Sequence, residues 1–134
     1  MKPSLSLLFA MLFGVTAQAQ SAQPSASALV GSWKSTQSSA LYTFKPNGTY
    51  VYVITMGGAA LRTGSSEAGS YSVSGGRLIL ARKEGVITSS NGYRQDMKPE
   101  TIVYPIAMGR TPNGLAMRLT FPTGGDEFFY RVPD

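Results

Sequence analysis

The stretch that decides the fold is Leu41–Met56, which reads LYTFKPNGTYVYVITM. Its first four residues alternate, so Tyr42 and Phe44 share one face of a strand. Its last eight residues, 49–56, are mostly β-branched and aromatic, as is typical of strands. Between them, Pro-Asn-Gly at 46–48 supplies a fixed φ and residues that tolerate a positive φ, as a tight turn requires. The stretch therefore predicts a β-hairpin.

The same alternation of strand and turn signals continues to the end of the chain. Residues 57–66 read as a small-residue loop, and no segment has a helical period. Asn91-Gly92 favours a hairpin between 86–88 and 93–96, and Pro105 predicts an edge or a bulge in its strand. The further predicted strands are 69–73, 77–82, 101–108, 115–121 and 126–132. Eight or nine short antiparallel strands indicate an all-β up-and-down barrel or a sandwich.

The N-terminus has the pattern of a cleaved signal peptide. Lys2 precedes a short apolar run at 5–15, and Ala17-Gln18-Ala19 is a signal-peptidase site that predicts cleavage near Ala19/Gln20. The apolar run is too short to span a bilayer as a helix, so we expect no transmembrane segment. We therefore expect a signal peptide at 1–19, a flexible leader at 20–28 and one domain at 29–134, in the periplasm or secreted.

The composition excludes several classes of chemistry. The 134 residues contain no His and no Cys, which removes the usual general base, the thiolate nucleophile and disulfides. We expect no metal and no cofactor, because carboxylates and Met alone make poor zinc or copper sites. Most acidic residues are expected at turns or strand ends. Glu67 and Glu127 are the one pair that we consider for a hydrolase with two facing carboxylates. The net charge of +5 is dispersed along the chain, which argues against a nucleic-acid partner. We predict that the protein is not an enzyme.

An ordered set of motifs resembles the small bacterial lipocalin-like domains of the calycin group. Gly31-Ser32-Trp33 opens the first strand, a Phe-to-Gly-x-Tyr hairpin follows at 44–50, a Gly-x-Tyr-x-Val strand lies at 69–73, and Arg131 is in the last strand. The resemblance implies an up-and-down β-barrel of about eight strands. It also implies that Gly31, Trp33 and Arg131 close the base of the barrel, with the basic side chain packed over the indole ring.

Tyrosine and methionine side chains are the candidates for a binding surface. A tyrosine combines an apolar ring with a polar tip, which suits the lining of a small-ligand pocket. Tyr50 and Tyr52 share a face of one predicted strand, while Tyr71 and Met117 come from others. We therefore predict Tyr50, Tyr52, Tyr71 and Met117 as ligand-binding residues, with ordinary core packing as the alternative.

Two functions follow from this reasoning. The first is non-enzymatic binding of a small, largely apolar molecule in the barrel mouth. The second is a protein-interaction module, such as an inhibitor or an envelope assembly factor, that acts through exposed loops at 57–66 or 83–100. An open apolar cavity would favour the first, and a filled interior with an ordered protruding loop would favour the second.

Overall fold

The computed structural model describes residues 24–56, 63–89 and 91–133. They form one short helix and nine strands, with these bounds: α1 Ala26–Leu29, β1 Gly31–Ser35, β2 Leu41–Phe44, β3 Thr49–Met56, β4 Thr63–Ser74, β5 Arg77–Thr88, β6 Arg94–Asp96, β7 Glu100–Thr111, β8 Gly114–Thr120 and β9 Asp126–Arg131. The signal peptide predicted at 1–19 lies outside the described residues.

Eight of these strands close into an antiparallel barrel. The order around the sheet is β4-β3-β2-β1-β9-β8-β7-β5, and a further pairing between β4 and β5 completes the ring. The last strand pairs with the first, with Trp33 opposite Arg131. The all-β prediction and the up-and-down barrel of about eight strands are both confirmed. β6 is a ninth strand, which pairs with the end of β5 beyond the last β5–β7 pair.

The predicted hairpins form at the predicted turns. Pro-Asn-Gly at 46–48 joins β2 to β3, and Gly48 adopts the positive φ of 86° that the turn requires. Asn91 and Gly92 lie in the turn between β5 and β6, where Val86 pairs with Asp96. Pro105 is the last residue of the β5–β7 ladder and directly precedes the β7–β8 ladder. Proline has no backbone N–H to donate, and Pro105 lies where the pairing with β5 ends, as expected for proline in a strand.

Two segments differ from the sequence prediction. Residues 63–66 were expected in a loop, but they belong to β4, where they pair with β3 on one side and β5 on the other. Their small polar side chains have low strand propensity, and pairing on both sides overrides it. Within the expected leader, α1 forms one helical turn with Ser25 as its N-cap, and its last residue, Leu29, is fully buried.

The up-and-down order gives the barrel two different ends. One end, here called the base, holds α1 and the turns at 45–48, 75–76 and 112–113. The other end, here called the mouth, holds the connections at 36–40, 89–93, 97–99 and 121–125. Residues 57–62, which connect β3 to β4, lie outside the described residues. Among the residues that the structure describes, no helix is long and apolar enough to cross a membrane.

Candidate functional site

The base of the barrel is closed by its own side chains. Trp33 has no exposed surface, and its indole Nε1 donates a hydrogen bond of 2.8 Å to the Leu29 carbonyl oxygen. Gly31 has a φ of 129°, and a Cβ there would overlap the guanidinium of Arg131. The structure therefore brings Gly31, Trp33 and Arg131 together. Gly31 is required both by its backbone conformation and by the side chain that lies against it.

Apolar side chains fill the barrel above this base. Phe44, Leu78, Leu80, Met117 and Leu119 are at most 1% exposed. Such a filled lower half leaves the mouth as the end where a ligand could reach the interior.

A buried ion pair crosses the interior nearer the mouth. Glu67 of β4 and Arg82 of β5 are each 9% exposed, and their Oε1 and Nη1 atoms are 3.5 Å apart. The Tyr50 hydroxyl donates to the Glu67 Oε2 at 2.7 Å. Arg82 also donates to the Lys98 carbonyl oxygen at 3.0 Å and to the Glu100 carboxylate at 2.8 Å. Every charged group of this pair therefore has several partners, as burial demands.

Local backbone features make room for this pair. The ladder between β4 and β5 shifts register between Ala68 and Gly69, so that one extra β5 residue, Lys83, is accommodated. Arg82 and the later Gly85 consequently both face the interior. Gly85 lies opposite Glu67, and a Cβ there would come within 3.1 Å of the Glu67 Cβ and 2.9 Å of the Met97 Sδ.

A second carboxylate, Glu127 of β9, also lies on the inner face of the barrel. The Ser35 and Ser38 hydroxyls donate to its Oε2 at 2.5 and 2.9 Å. Both ion pairs formed by the described residues involve Arg82, so neither involves Glu127. Glu127 is therefore a half-buried carboxylate that is held by hydroxyl groups.

Aromatic rings surround these carboxylates. Tyr42 packs against Tyr52 and Phe129 with ring centroids 4.5 and 5.5 Å apart. Tyr104 packs edge-on against Phe121 at 5.4 Å. Tyr52, Tyr104, Phe121 and Ile54 keep part of their surface exposed, whereas Tyr42 is 5% exposed. We call Tyr52, Ile54, Tyr104 and Phe121 the mouth residues.

Burial and the negative carboxylates disfavour ionisation of the tyrosines. Burial raises the pKa of Tyr52 to about 12, and Glu127 is the next largest cause. Burial and the hydrogen bond to Glu67 raise the pKa of Tyr50 well above its ordinary value. The pKa values of Tyr42 and Tyr104 are also raised, chiefly by burial, and Glu67 contributes to both. Burial is thus the main reason that these tyrosines stay neutral, and the two carboxylates add to it.

The raised pKa of Tyr52 predicts a loss of stability at high pH. A folded-state pKa above the unfolded value of about 10 gives stabilisation that is complete below pH 10 and is lost as the pH rises through the folded value. We expect the urea midpoint of the wild type to fall between pH 10 and 12, and that of Tyr52→Phe to fall less, because phenylalanine cannot ionise. The exposed-site control Tyr93→Phe should follow the wild type. Identical pH profiles for Tyr52→Phe and the wild type would contradict the prediction.

The four predicted ligand-binding residues lie at different depths. Tyr50 and Met117 have no exposed surface, and Tyr71 is 8% exposed with its hydroxyl donating to the Lys45 carbonyl oxygen at 2.9 Å. Tyr52 alone among them is a mouth residue. The structure thus brings Tyr50 and Tyr52 beside Glu67 and places Tyr71 and Met117 in the apolar packing.

Sequence reasoning missed much of the charged part of the site. Glu67 was expected among solvated turn acids, but it lies inside the barrel in the middle of β4. Arg82 belongs to the positive charge that the sequence analysis treats as dispersed, and no role was predicted for Tyr104. The pair Glu67 and Glu127 had been considered, and both do face the interior. Strand alternation could have found Glu67, had 63–68 been recognised as strand.

A surface groove also lies outside the barrel. It measures about 550 Å³, and its lining includes Val51, Ser66, Ala68, Glu84 and Val86. The groove forms because β4 presents only small side chains outward, between taller ones on β3 and β5. Glu67, Lys83 and Asp96 also line the groove, but the described residues of its lining include no aromatic ring. The mouth, where aromatic rings are partly exposed, is therefore the better candidate site.

The comparisons with known proteins add no relative. No family model matches the chain, and searches of curated proteins and of solved structures find no significant similarity. The fold itself defines the class: a closed, eight-stranded antiparallel barrel of the calycin-like kind, with a filled base and a polar, aromatic mouth.

Proposed function

We propose that this protein is a non-enzymatic binding protein that holds a small, largely apolar molecule at the mouth of the barrel. The observation that carries the proposal is the partly exposed ring surface of Tyr52, Tyr104 and Phe121 together with the buried Glu67–Arg82 pair, whose Glu67 lies directly opposite Tyr52. Ligand sites combine such apolar walls with a few fixed polar groups.

The buried ion pair supports a role beyond stability. A buried pair of charges is often no more stabilising than apolar side chains of similar volume, because both ions lose their hydration. Buried charges near an opening are therefore candidates for a functional site. Here Glu67 lies opposite Tyr52, so fixed polar groups beside an aromatic ring would orient a ligand.

We further propose that the chain is a lipocalin-like protein and that it is exported. Lipocalin identity is supported by Gly31, Trp33 and Arg131, which lie together at the base. Export to the periplasm or beyond is supported by Lys2, the apolar run at 5–15 and the small-x-small site ending at Ala19.

The experiment is a fluorescence titration of the mature chain, beginning at Gln20, with N-phenyl-1-naphthylamine as a neutral apolar probe. We expect one saturable site. Tyr52→Ala and Tyr104→Ala should each weaken binding about tenfold, since a buried aromatic anchor commonly contributes this much. Tyr93→Ala is the matched control, because Tyr93 is a 65% exposed tyrosine of the β5–β6 turn and is not one of the mouth residues. Equal effects of all three substitutions, or no saturable binding, would contradict the proposal.

A protein-interaction module remains the second candidate, and one observation favours it. The β5–β6 hairpin extends past the barrel closure and exposes Ile87 and Tyr93 at 43% and 65%. It lies within the loop predicted at 83–100, while the other predicted loop, 57–66, falls partly in β4 and partly outside the described residues. A wild type that binds no probe would favour this second function.

A further inference from the structure

We propose that the ligand of the mouth is an organic cation, namely an apolar or aromatic amine, whose ammonium group is held by Glu127 and by the faces of Tyr52 and Tyr104. This inference rests on the proposed binding function and specifies the ligand class.

Among the described residues that face the interior near the mouth, Glu127 is the one charged group that forms neither of the two ion pairs. Glu67 and Arg82 compensate each other, and Arg82 is further engaged by Glu100 and the Lys98 carbonyl oxygen. Two serine hydroxyls donate to Oε2 of Glu127, and because hydroxyl groups are neutral they do not compensate its charge. Its other oxygen, Oε1, can still accept hydrogen bonds from an ammonium group.

The surroundings of Glu127 suit a cation with an apolar body. Glu127 lies on the same face of β9 as Phe129, whose ring packs against Tyr42, and Tyr42 packs against Tyr52. The charge of Glu127 also contributes to the raised pKa values of Tyr52 and Tyr104. Tyrosine rings attract cations through the negative face of the ring. Ring surface and carboxylate thus act together on one ammonium group, whereas an anionic ligand would be repelled by Glu127.

Because the net charge of the chain is positive, a net negative charge on the inner face near the mouth is informative. The protein carries 12 basic and 7 acidic residues, yet the described residues on the inner face near the mouth carry two carboxylates and one guanidinium, those of Glu67, Glu127 and Arg82. A mouth that merely repeated the surface composition would be basic. If binding reflected only the attraction of anions to a basic surface, the protein would prefer anionic ligands, which is the opposite of our proposal.

The test compares three probes that share a naphthalen-1-ylmethyl group: naphthalen-1-ylmethylammonium, naphthalen-1-ylmethanol and naphthalen-1-ylacetate. Calorimetric titration of the wild type should show the ammonium bound about tenfold more tightly than the alcohol, as for a partly desolvated charge pair. The carboxylate should bind most weakly. Equal affinities for the ammonium and the alcohol, or tightest binding of the carboxylate, would overturn the inference while leaving the binding function intact. No binding of any probe would overturn both.

Variants locate the charge responsible. Glu127→Gln keeps the hydrogen-bonding shape and removes the charge, so the preference for the ammonium over the alcohol should fall to about one, the value expected without a charge pair. Glu84→Gln, an exposed acid on the outer face of β5, is the matched control and should keep the wild-type preference. A Glu127→Gln variant that binds the alcohol normally and keeps the tenfold preference would show that Glu127 does not hold the ammonium. The comparison of the three probes uses the wild type, so it remains valid even if a variant folds poorly.

Discussion

Replacing Arg82 with methionine is expected to destabilise the folded protein by about 3–5 kcal/mol, the cost of leaving one buried charge without its partner. Methionine matches much of the volume of arginine and removes only the guanidinium. Glu67, which is 9% exposed, would then keep only the hydrogen bond from Tyr50. Urea denaturation at neutral pH measures the change.

Two further variants test whether the unpaired charge of Glu67, rather than lost packing, causes the loss of stability. In the double variant Arg82→Met with Glu67→Gln, both charges are absent and the glutamine still accepts from the Tyr50 hydroxyl. It should recover more than half of the loss. Arg77→Met, on the exposed outer face of the same strand, should change stability by less than about 0.5 kcal/mol. A double variant as unstable as Arg82→Met would mean that lost packing, and not an unpaired charge, causes the effect.

The second large effect is expected at the base, where Trp33→Ala should cost about 3–5 kcal/mol. The substitution removes a fully buried ring and the hydrogen bond to the Leu29 carbonyl oxygen. Trp33→Phe should cost less, because it keeps an aromatic ring in the cavity. Tyr93→Ala, an exposed aromatic control, should have little effect.

A double-mutant cycle with Arg131→Ala tests whether the two base residues act together. They are direct cross-strand partners, and a guanidinium over an indole ring is worth about 0.5–2 kcal/mol. The combined loss in the double variant should therefore be smaller than the sum of the single losses. Strict additivity would show that the side chains do not interact, and the lipocalin-like proposal would lose its main physical support.

Local signals in the sequence were enough to predict most of the barrel. Pro-Asn-Gly at 46–48 and Asn-Gly at 91–92 specify turns through backbone conformation alone, so neighbouring residues suffice to identify them. In residues 115–121, large apolar side chains occupy every second position, which directly predicts that one face of the strand is buried. The position of Arg131 beside Trp33 came from resemblance, because a contact between the two ends of the chain has no local signature.

The features missed by the sequence prediction depend on pairing across the sheet. Residues 63–66 read as a loop because Gly and Ser have little strand propensity, and only pairing with β3 and β5 on either side makes them a strand. Once that strand was missed, Glu67 could not be placed inside. The extra residue at Lys83 likewise has no sequence signal, yet it lets Arg82 and Gly85 both face the interior.

The pairing of β1 with β9 determines when the barrel can form during synthesis. Trp33 and Arg131 are 98 positions apart along the chain, so the ring cannot close until the ribosome has released the residues through Arg131. Contacts of such high sequence separation slow folding, because a long loop must be ordered before they form. An incomplete chain has an open sheet with two unpaired edges. If the chain is exported through a channel that admits only unfolded polypeptide, this delay keeps it in a transportable state until the last strand has been made.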